Sequence, residues 1–511
     1  MAGPIFPGKM VAGLKRDLHG KTHLWKGMKT KWGEITAGEL IPAMRGEWIS
    51  GPKDAVLNGL STDSRNIAQD QLFLALKGEK YDGHDFITQA VDQGATGVVM
   101  AKGYHPEIPA GKNPVLIAVS DTLRALGDLG NWWRRQHPIP LVAITGTVGK
   151  TTTKEMTACI LERSALTLRN EGNLNNLIGL PLTLLLLQEA HQRALLEMGM
   201  NRPGEIARLT EIANPDIGLI TNVGRAHLEG LGNVEAVARA KTEMLEKISE
   251  KSQVILNGND LTLMKEASRF KRKIFTFGLG SEHPIYAKKI RRLGEKGIAF
   301  ELQCFGQSRD VVLNVPGVHN VLNALAASAI ALCLEEPLDG IVEGLNRFKG
   351  IKGRFTVSHL SKDVTLVDDT YNANPSSLRA AMETVRELAM DTDRVIVGLG
   401  EMLELGDETI TAHLEAGHMV AELGAFFFMA MGEHARQMIE GAVGKGFPSD
   451  KAVVINSHKD MVRKIEDVMR PGDIILLKGS RKMQLEKVAE GLREDHPADE
   501  QSKRESSRLS G

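Results

Sequence analysis

The sequence predicts an α/β protein of three domains built on largely parallel sheets. Three observations carry that expectation. The chain has 511 residues, 42% of them hydrophobic and 25% charged, enough for about three globular units at roughly 100 to 200 residues each. Short β-rich runs alternate with helical patterns along most of it, the order that produces parallel strands joined by crossover helices. One such run ends in a glycine turn, then Lys-Thr, then a helical pattern, across residues 141–156.

Charge and composition narrow the function. With 63 Lys+Arg against 64 Asp+Glu the formal charge is -1, which argues against a protein built to coat nucleic acid or an anionic membrane. Small anions such as nucleotides remain suitable ligands. The three cysteines, Cys159, Cys304 and Cys333, show no CxxC or zinc-type spacing, so a disulfide scaffold or thiolate metal site is not expected and a reducing, cytoplasmic compartment is. The apolar run at residues 182–187 falls far short of the roughly 18 to 20 residues needed to span a bilayer, so no membrane insertion is expected.

In chain order, residues 1–32 hold six Lys and one Arg against one Asp with no apolar stretch behind them. Residues 1–30 are therefore expected to be a disordered or accessory basic extension rather than a secretory signal. A first domain follows at 31–137. The segment Gln136-His-Pro-Ile-Pro140 precedes a buried-strand pattern and opens a central domain at 138–350, with strands expected at 141–145, 194–197 and 217–221. The glycine-rich Lys349-Gly-Ile-Lys-Gly-Arg354 is a candidate hinge into a last domain at 351–494, with strands at 364–368, 394–397, 425–429 and 473–477. Residues 495–511, rich in Ser and charge, read as a solvated tail. In open α/β sheets ligands collect beyond the carboxyl ends of the strands, so the residues just after these runs are the first candidates for a site.

The loop after residue 145 is the most informative. Gly146 and Gly149 let the backbone wrap closely around an anion, and the N–H groups that open the next helix point at it, reinforced by the helix dipole. Lys150 suits the β/γ-phosphates and Thr151 a magnesium ion. The common GxxxxGK[ST] spacing is absent, since Ile144 stands five before Gly149; the loop is the shorter Gly-Thr-Val-Gly-Lys-Thr. Glu197 ends a strand and meets Met-Gly-Met-Asn, a position suited to a hard cation that takes only one or two carboxylates beside phosphate and water. His227 also lies just past a strand, in an irregular loop marked by Asn222, Gly224 and Gly230. Lys241, fourteen residues on, would by itself read as a solvated helix lysine.

Together these segments resemble the ATP-dependent Mur ligases of peptidoglycan synthesis, and within them the branch that adds D-alanyl-D-alanine to a UDP-N-acetylmuramoyl-tripeptide. The resemblance runs from about residue 31 to 492. It rests on Gly146-Thr-Val-Gly-Lys-Thr-Thr-Thr-Lys154, Gly172-Asn-Leu-Asn-Asn-Leu-Ile-Gly-Leu-Pro181, Glu197-Met-Gly199, Asn222-Val-Gly-Arg-Ala-His-Leu-Glu229, Ala240-Lys241, His319-Asn320, Gly353-Arg354-Phe355, Asp368-Asp-Thr-Tyr-Asn-Ala-Asn-Pro375 and Lys478-Gly-Ser-Arg481. Val148 departs from the asparagine common in that loop, and the basic extension is unusual.

The resemblance implies a central P-loop-type, mostly parallel sheet with helices on both faces, a Rossmann-like C-terminal domain and a smaller α/β N-terminal domain. It implies ATP bound by Gly146, Thr147, Val148, Gly149, Lys150, Thr151 and Thr152, with Asn320, Arg354 and Asp369 at the adenosine and Tyr371 beside the base. Two Mg²⁺ ions are implied, one at Thr151 and Glu197, the other at His227 and Lys241, whose amine would carry CO₂ as a carbamate. Lys150, His227 and Lys241 would be the catalytic residues. Asn173, Asn175 and Asn176 face the muramoyl-peptide, although an Asn cluster also makes turns, and Asn320, which opens an apolar helix at residues 321–334, could be a plain N-cap. Ser64 and Arg65 are implied for the UDP portion, and Lys478, Ser480 and Arg481 for the dipeptide or the transferred phosphate. The partners would be small molecules only, with no nucleic acid, and the protein a monomer.

Other enzymes remain open: the preceding ligase, which adds the third amino acid, or a folylpolyglutamate synthetase. The former carries Asp-Asn-Pro-Arg in its last domain, where this chain reads Gly398-Leu-Gly-Glu-Met-Leu-Glu-Leu-Gly406, which favours D-Ala-D-Ala. A regulatory P-loop NTPase would leave Lys241 and the asparagine cluster without a role.

Overall fold

The computed structural model describes residues 32–33, 35–389 and 394–497; the basic extension at 1–30 and the tail beyond 497 lie outside the described residues. By their contacts the described residues form two compact units, one of those before Ala43 with Gly46–Thr122, the other of Ala43–Arg45 with those from Leu123 to residue 497.

The first unit holds a five-stranded sheet in the order Glu47–Ser50, Val115–Val119, Ala95–Ala101, Gln71–Leu74, Leu60–Ser61. Only the first pair is antiparallel. Its inner strands are buried along nearly their whole length, the pattern of parallel strands, and Phe73, Ile87, Val98 and Leu116 fill one side.

The second unit carries two sheets. The larger has nine strands among the described residues, in the order Gln307–Leu313, Ile298–Cys304, Ile285–Arg292, Ile274–Gly278, Gln253–Asn257, Ile217–Ile220, Leu141–Thr145, Arg193–Glu197, Thr167–Arg169. The first two join antiparallel; the other seven are parallel. Helices cover both faces, and one strand shows why it must be apolar throughout: Ile217 and Leu219 pack into the cluster of the helices Lys150–Leu161 and Val318–Cys333, while Gly218 lies against Met244 and Ile248 at the end of the helix Val234–Lys247. The second sheet runs Thr356–Leu360, Val364–Asp369, Ile474–Lys478, Val395–Gly400, Phe427–Met431, Ala452–Ile455, with only the first strand antiparallel. It too is buried on both faces, with Val367 on one side and Leu366 on the other.

The strand at 141–145 stands where the sequence places it. Those expected at 394–397 and 425–429 lie at Val395–Gly400 and Phe427–Met431. A ladder ends where its partner ends, and Ala430 and Met431 still have Val454 and Ile455 beside them; residue preference does not report this. The N-cap reading of Asn320 is corrected. The cap position is Gly317, and Asn320 sits inside the first turn, its Nδ2 donating to Pro316 O at 2.7 Å. The helix Thr122–Gln136, which a boundary at Pro138 would give to the first domain, packs with the second unit: Trp133 Nε1 donates to Leu187 O at 3.1 Å and Arg134 Nη2 to Asp216 Oδ2 at 3.0 Å. Among the described residues no helix is long and apolar enough to cross a membrane.

Candidate active site

The phosphate-loop candidate is shaped by contacts that only glycine permits. Gly146 has φ 152° and Gly149 φ 86°; a Cβ at the first would stand 1.9 Å from Thr221 Oγ1 and at the second 2.2 Å from Asn323 Oδ1. Asn222 braces the loop from the neighbouring strand: its carbonyl accepts from Thr147 N at 3.1 Å, and its side chain accepts from Val148 N at 2.9 Å and donates to Val148 O at 2.9 Å. The amides of Thr147 and Val148 are thus engaged within the protein. The first intrahelical bond is given by Thr153 N to Gly149 O at 2.8 Å, so by position the N–H groups of Lys150, Thr151 and Thr152 are those offered to an anion.

Lys150 folds back over the loop, its Nζ donating to Gly146 O at 2.7 Å and Thr147 O at 3.3 Å. Burial lowers its pKa, Glu197 opposes the shift and Arg354 adds to it. Glu197, 3% exposed, accepts from Thr151 Oγ1 at 2.8 Å and from Asn175 Nδ2 at 2.8 Å. Burial would raise its pKa, but Lys150, Lys154, the Thr151 hydroxyl and Arg354 outweigh that and hold the carboxyl below its usual range. The backbone of Glu197 is pinned by Asn170, whose side chain donates to its carbonyl and accepts from its N–H, both at 2.9 Å.

The asparagine cluster divides by role. Asn175 reaches Glu197, Asn173 is exposed at the cleft, and Asn176 accepts from Ile178 N and Gly179 N at 3.1 and 2.9 Å, which starts the helix Gly179–Leu184. The turn-making alternative therefore describes Asn176. His227 takes the left-handed conformation, φ 56°, and its Nδ1 lies 2.6 Å from Glu404 Oε2, which brings in the loop after the strand Val395–Gly400. Lys241 is 1% exposed inside the helix Val234–Lys247, not solvated as its sequence context alone suggests. Burial, and then the charge of Lys150, push its pKa well below the lysine value, favouring the neutral amine.

Across the cleft, Arg354 donates from Nη2 to Thr151 Oγ1 at 3.3 Å and stacks its guanidinium 4.0 Å from the Tyr371 ring centre. Its Nε is buried without a partner. Asp369 accepts from Phe355 N at 3.1 Å and from Lys478 Nζ at 2.6 Å; burial lowers the pKa of Lys478 and Asp369 opposes it. The hydroxyl of Ser480 is buried and unpartnered.

A cleft of about 790 Å³ joins Thr147 through Thr152, Asn173, Asn175, Asn176, Glu197 and His227 to Arg354, Tyr371, Glu404, Ser480 and Arg481. A smaller pocket of about 60 Å³ beside it gathers Gly149, Thr152, His319, Asn320, Asn323, Arg354, Asp369 and Lys478. Lys241 is not among the lining residues. A separate open depression of about 640 Å³ at Arg134, Pro140, Arg193 and Lys251 contains none of the expected site residues. Ser64 and Arg65 belong to the first unit: Ser64 is buried and donates to Gln89 Oε1 at 3.0 Å, and Arg65 is exposed and paired with Asp63 at 2.9 Å. The sequence reading missed Glu404, Asn222 as a brace, Asn170 and Asn323. Of these, Asn170 and Asn222 carried a readable signal, a polar residue just past a short β-rich run.

Comparisons with known proteins place three segments of the chain in one family. Residues 56–133 match the description "Mur ligase family, catalytic domain", 144–331 "Mur ligase middle domain" and 353–481 "Mur ligase, glutamate ligase domain". The chain is 36% identical to the UDP-N-acetylmuramoyl-tripeptide–D-alanyl-D-alanine ligase of Escherichia coli K12 over 464 residues, 90% of this chain and 99% of that protein. It superposes on crystal structure I of MurF from Acinetobacter baumannii with a TM-score of 0.81 at 34% identity, covering 90% and 99% of the two chains. For MurF from Thermotoga maritima in complex with ADP the TM-score is 0.76 at 26% identity, covering 85% and 97%. With three matched segments in order and relatives aligned almost end to end, the chain belongs to the Mur ligase family, in its UDP-N-acetylmuramoyl-tripeptide–D-alanyl-D-alanine ligase branch.

Proposed function

We infer that this chain is the ATP-dependent ligase that joins D-Ala-D-Ala to UDP-N-acetylmuramoyl-tripeptide, giving the pentapeptide precursor of peptidoglycan, and that it works in the cytoplasm as a monomer. One observation carries the assignment of the site: the phosphate-loop candidate, Glu197 and His227 open into the same cleft as Arg354, Tyr371 and Ser480 from the last sheet. Two reactants held by two lobes can meet there.

A carboxylate is a poor acylating agent, so the oxygen of the tripeptide's terminal carboxylate first takes the γ-phosphoryl group of ATP, the bond to the bridging oxygen breaks and ADP leaves, which gives an acyl phosphate. The dipeptide's α-amine then attacks, and the tetrahedral intermediate collapses with release of phosphate. The protein's part is positioning and charge. Lys150 and the opening amides of its helix neutralise the β/γ-phosphates. Arg354 and Asp369 hold the adenosine side, with Asn320 in the same pocket, and the free Arg354 Nε and Ser480 hydroxyl have unfilled hydrogen bonds to offer a substrate.

The residues fit magnesium. Glu197 is buried yet held ionised, and it shares the Thr151 hydroxyl, a pair of hard oxygen donors. His227 has Nδ1 engaged by Glu404 and keeps Nε2 free. Lys241, disposed to be neutral, is suited to react with CO₂, and the carbamate would supply the anionic oxygen that a bare ammonium cannot. Thr151 and Glu197 would hold one ion, His227 and carbamylated Lys241 a second, and such ions would supply positive charge against the phosphoryl oxygens. Asn173 and Asn175 would meet the muramoyl-peptide, Ser64 and Arg65 the UDP portion, and Lys478, Ser480 and Arg481 the dipeptide side. Closure about residues 350–354 would bring the lobes together before chemistry.

The deciding experiment is phosphate release from ATP with purified UDP-muramoyl-tripeptide, comparing D-Ala-D-Ala with single amino acids and glutamate. Turnover with D-Ala-D-Ala is expected; preference for a diamino acid or glutamate would replace this reading with one of the related ligases.

A further inference from the structure

We propose that Arg225 is a positioning residue of the reaction, a clasp that holds the C-terminal lobe over the central one. The inference rests on the cleft described above being the ligase site. Arg225 lies in the loop after the strand Ile217–Ile220, two residues before His227. Its Nε donates to Glu408 Oε2 and its Nη1 to Glu415 Oε2, both at 2.6 Å. Glu408 ends the short 3₁₀ turn Gly406–Glu408 and Glu415 lies on the helix Thr409–Leu423. One guanidinium therefore ties a turn and the helix that follows it to the opposite lobe. A lysine could not do this, because its point charge lacks the planar fork needed to reach two carboxylates in fixed directions.

What the clasp holds is the approach of Glu404 to His227. Both residues take left-handed backbone conformations, φ 64° and φ 56°, which cost energy for any residue with a Cβ and persist only where surroundings impose them. The surroundings here are reciprocal. Glu229 N donates to Glu404 O at 3.1 Å, and Gly406 packs so closely that a Cβ there would stand 3.0 Å from Glu229 Cα. Arg225 fixes the chain just downstream of Glu404 and just upstream of His227, so it anchors both sides of the contact at once. It does not line the cleft and acts only through its neighbours.

The test uses the full chain. Arg225→Ala should lower kcat/KM by about tenfold, the scale of losing two partly exposed charge pairs, mostly as a raised KM for ATP and dipeptide, with the thermal midpoint within a few degrees of the native value. Arg225→Glu should be worse, and combining it with Glu408→Arg and Glu415→Arg should restore most of the loss, which ties the effect to these two pairs; the raised KM at an unchanged thermal midpoint is what a merely structural role would not predict. Native kinetics in Arg225→Ala, or a triple variant no better than Arg225→Glu alone, overturns the clasp. A Lys150→Ala control separates the two readings: if it is inactive while Arg225→Ala is normal, only the clasp fails, whereas an active Lys150→Ala removes the cleft itself.

Discussion

The Thr151 hydroxyl donates to Glu197 Oε2 at 2.8 Å, joining the first turn of a helix to the end of the neighbouring strand. Replacing Glu197 with Gln keeps the shape of this contact and deletes the charge. Glu197→Gln should need several-fold more magnesium for half-maximal turnover, and chelation with EDTA should abolish native activity reversibly. A magnesium titration followed by phosphate release checks both; an unchanged metal requirement would detach Glu197 from the metal.

Lys150 is half-buried and bonded only to the loop carbonyls it covers, so its removal should affect chemistry far more than folding. Lys150→Ala is expected to lose at least about a hundredfold in turnover, on the scale of losing a charge that stabilises a transition state. Steady-state kinetics and circular dichroism on the same preparation separate the effects. Near-native turnover would take the phosphate loop out of the mechanism.

Burial drives Lys241 toward the neutral amine, the form that combines with CO₂. Lys241→Ala should lose activity and regain part of it when a short carboxylic acid is added. Intact mass of the native protein, measured without acid, should show an added carboxyl group, and an unmodified lysine in fully active protein would defeat the idea.

His319 gives a pH dependence. Burial lowers its pKa to about 4, against a weaker opposing pull from Asp369, so the folded protein prefers the neutral ring more than the unfolded chain does. Its contribution is complete above the unfolded value near 6.5 and is lost as pH falls toward 4. The loss should be about 1 to 3 kcal/mol. Urea unfolding at pH 7 and pH 4.5 should show it, and His319→Gln should flatten that part of the profile. An equal slope in the variant would assign the acid sensitivity elsewhere.

Much of the candidate site was legible because a phosphate loop is a local pattern. Gly146, Gly149, Lys150 and Thr151 lie within six residues, and one strand, one turn and one helix N-terminus suffice to aim them. Glu197 and His227 were legible for a related reason: each follows a buried apolar run, and parallel sheets bring such strand ends to one edge. Lys241 was not. Its helix neighbours are polar enough to suggest a solvated side chain, and only packing shows it at 1% exposure.

The sequence by itself determined the alternation of strand and helix, the glycine loop and the polar residues waiting at the strand ends, because these depend on backbone geometry and side-chain patterning over a few residues. Tertiary structure decided which distant groups meet: Glu404 with His227 across 177 positions, Lys478 with Asp369 across 109, Arg354 with Thr151 across 203. The first and last depend on how two sheets are held against each other, and the second on two strands lying side by side in one sheet; burial then lowers the pKa of Lys150 and Lys241, while the cations around Glu197 keep its carboxyl below the usual range. Spacing along the chain carries no record of either.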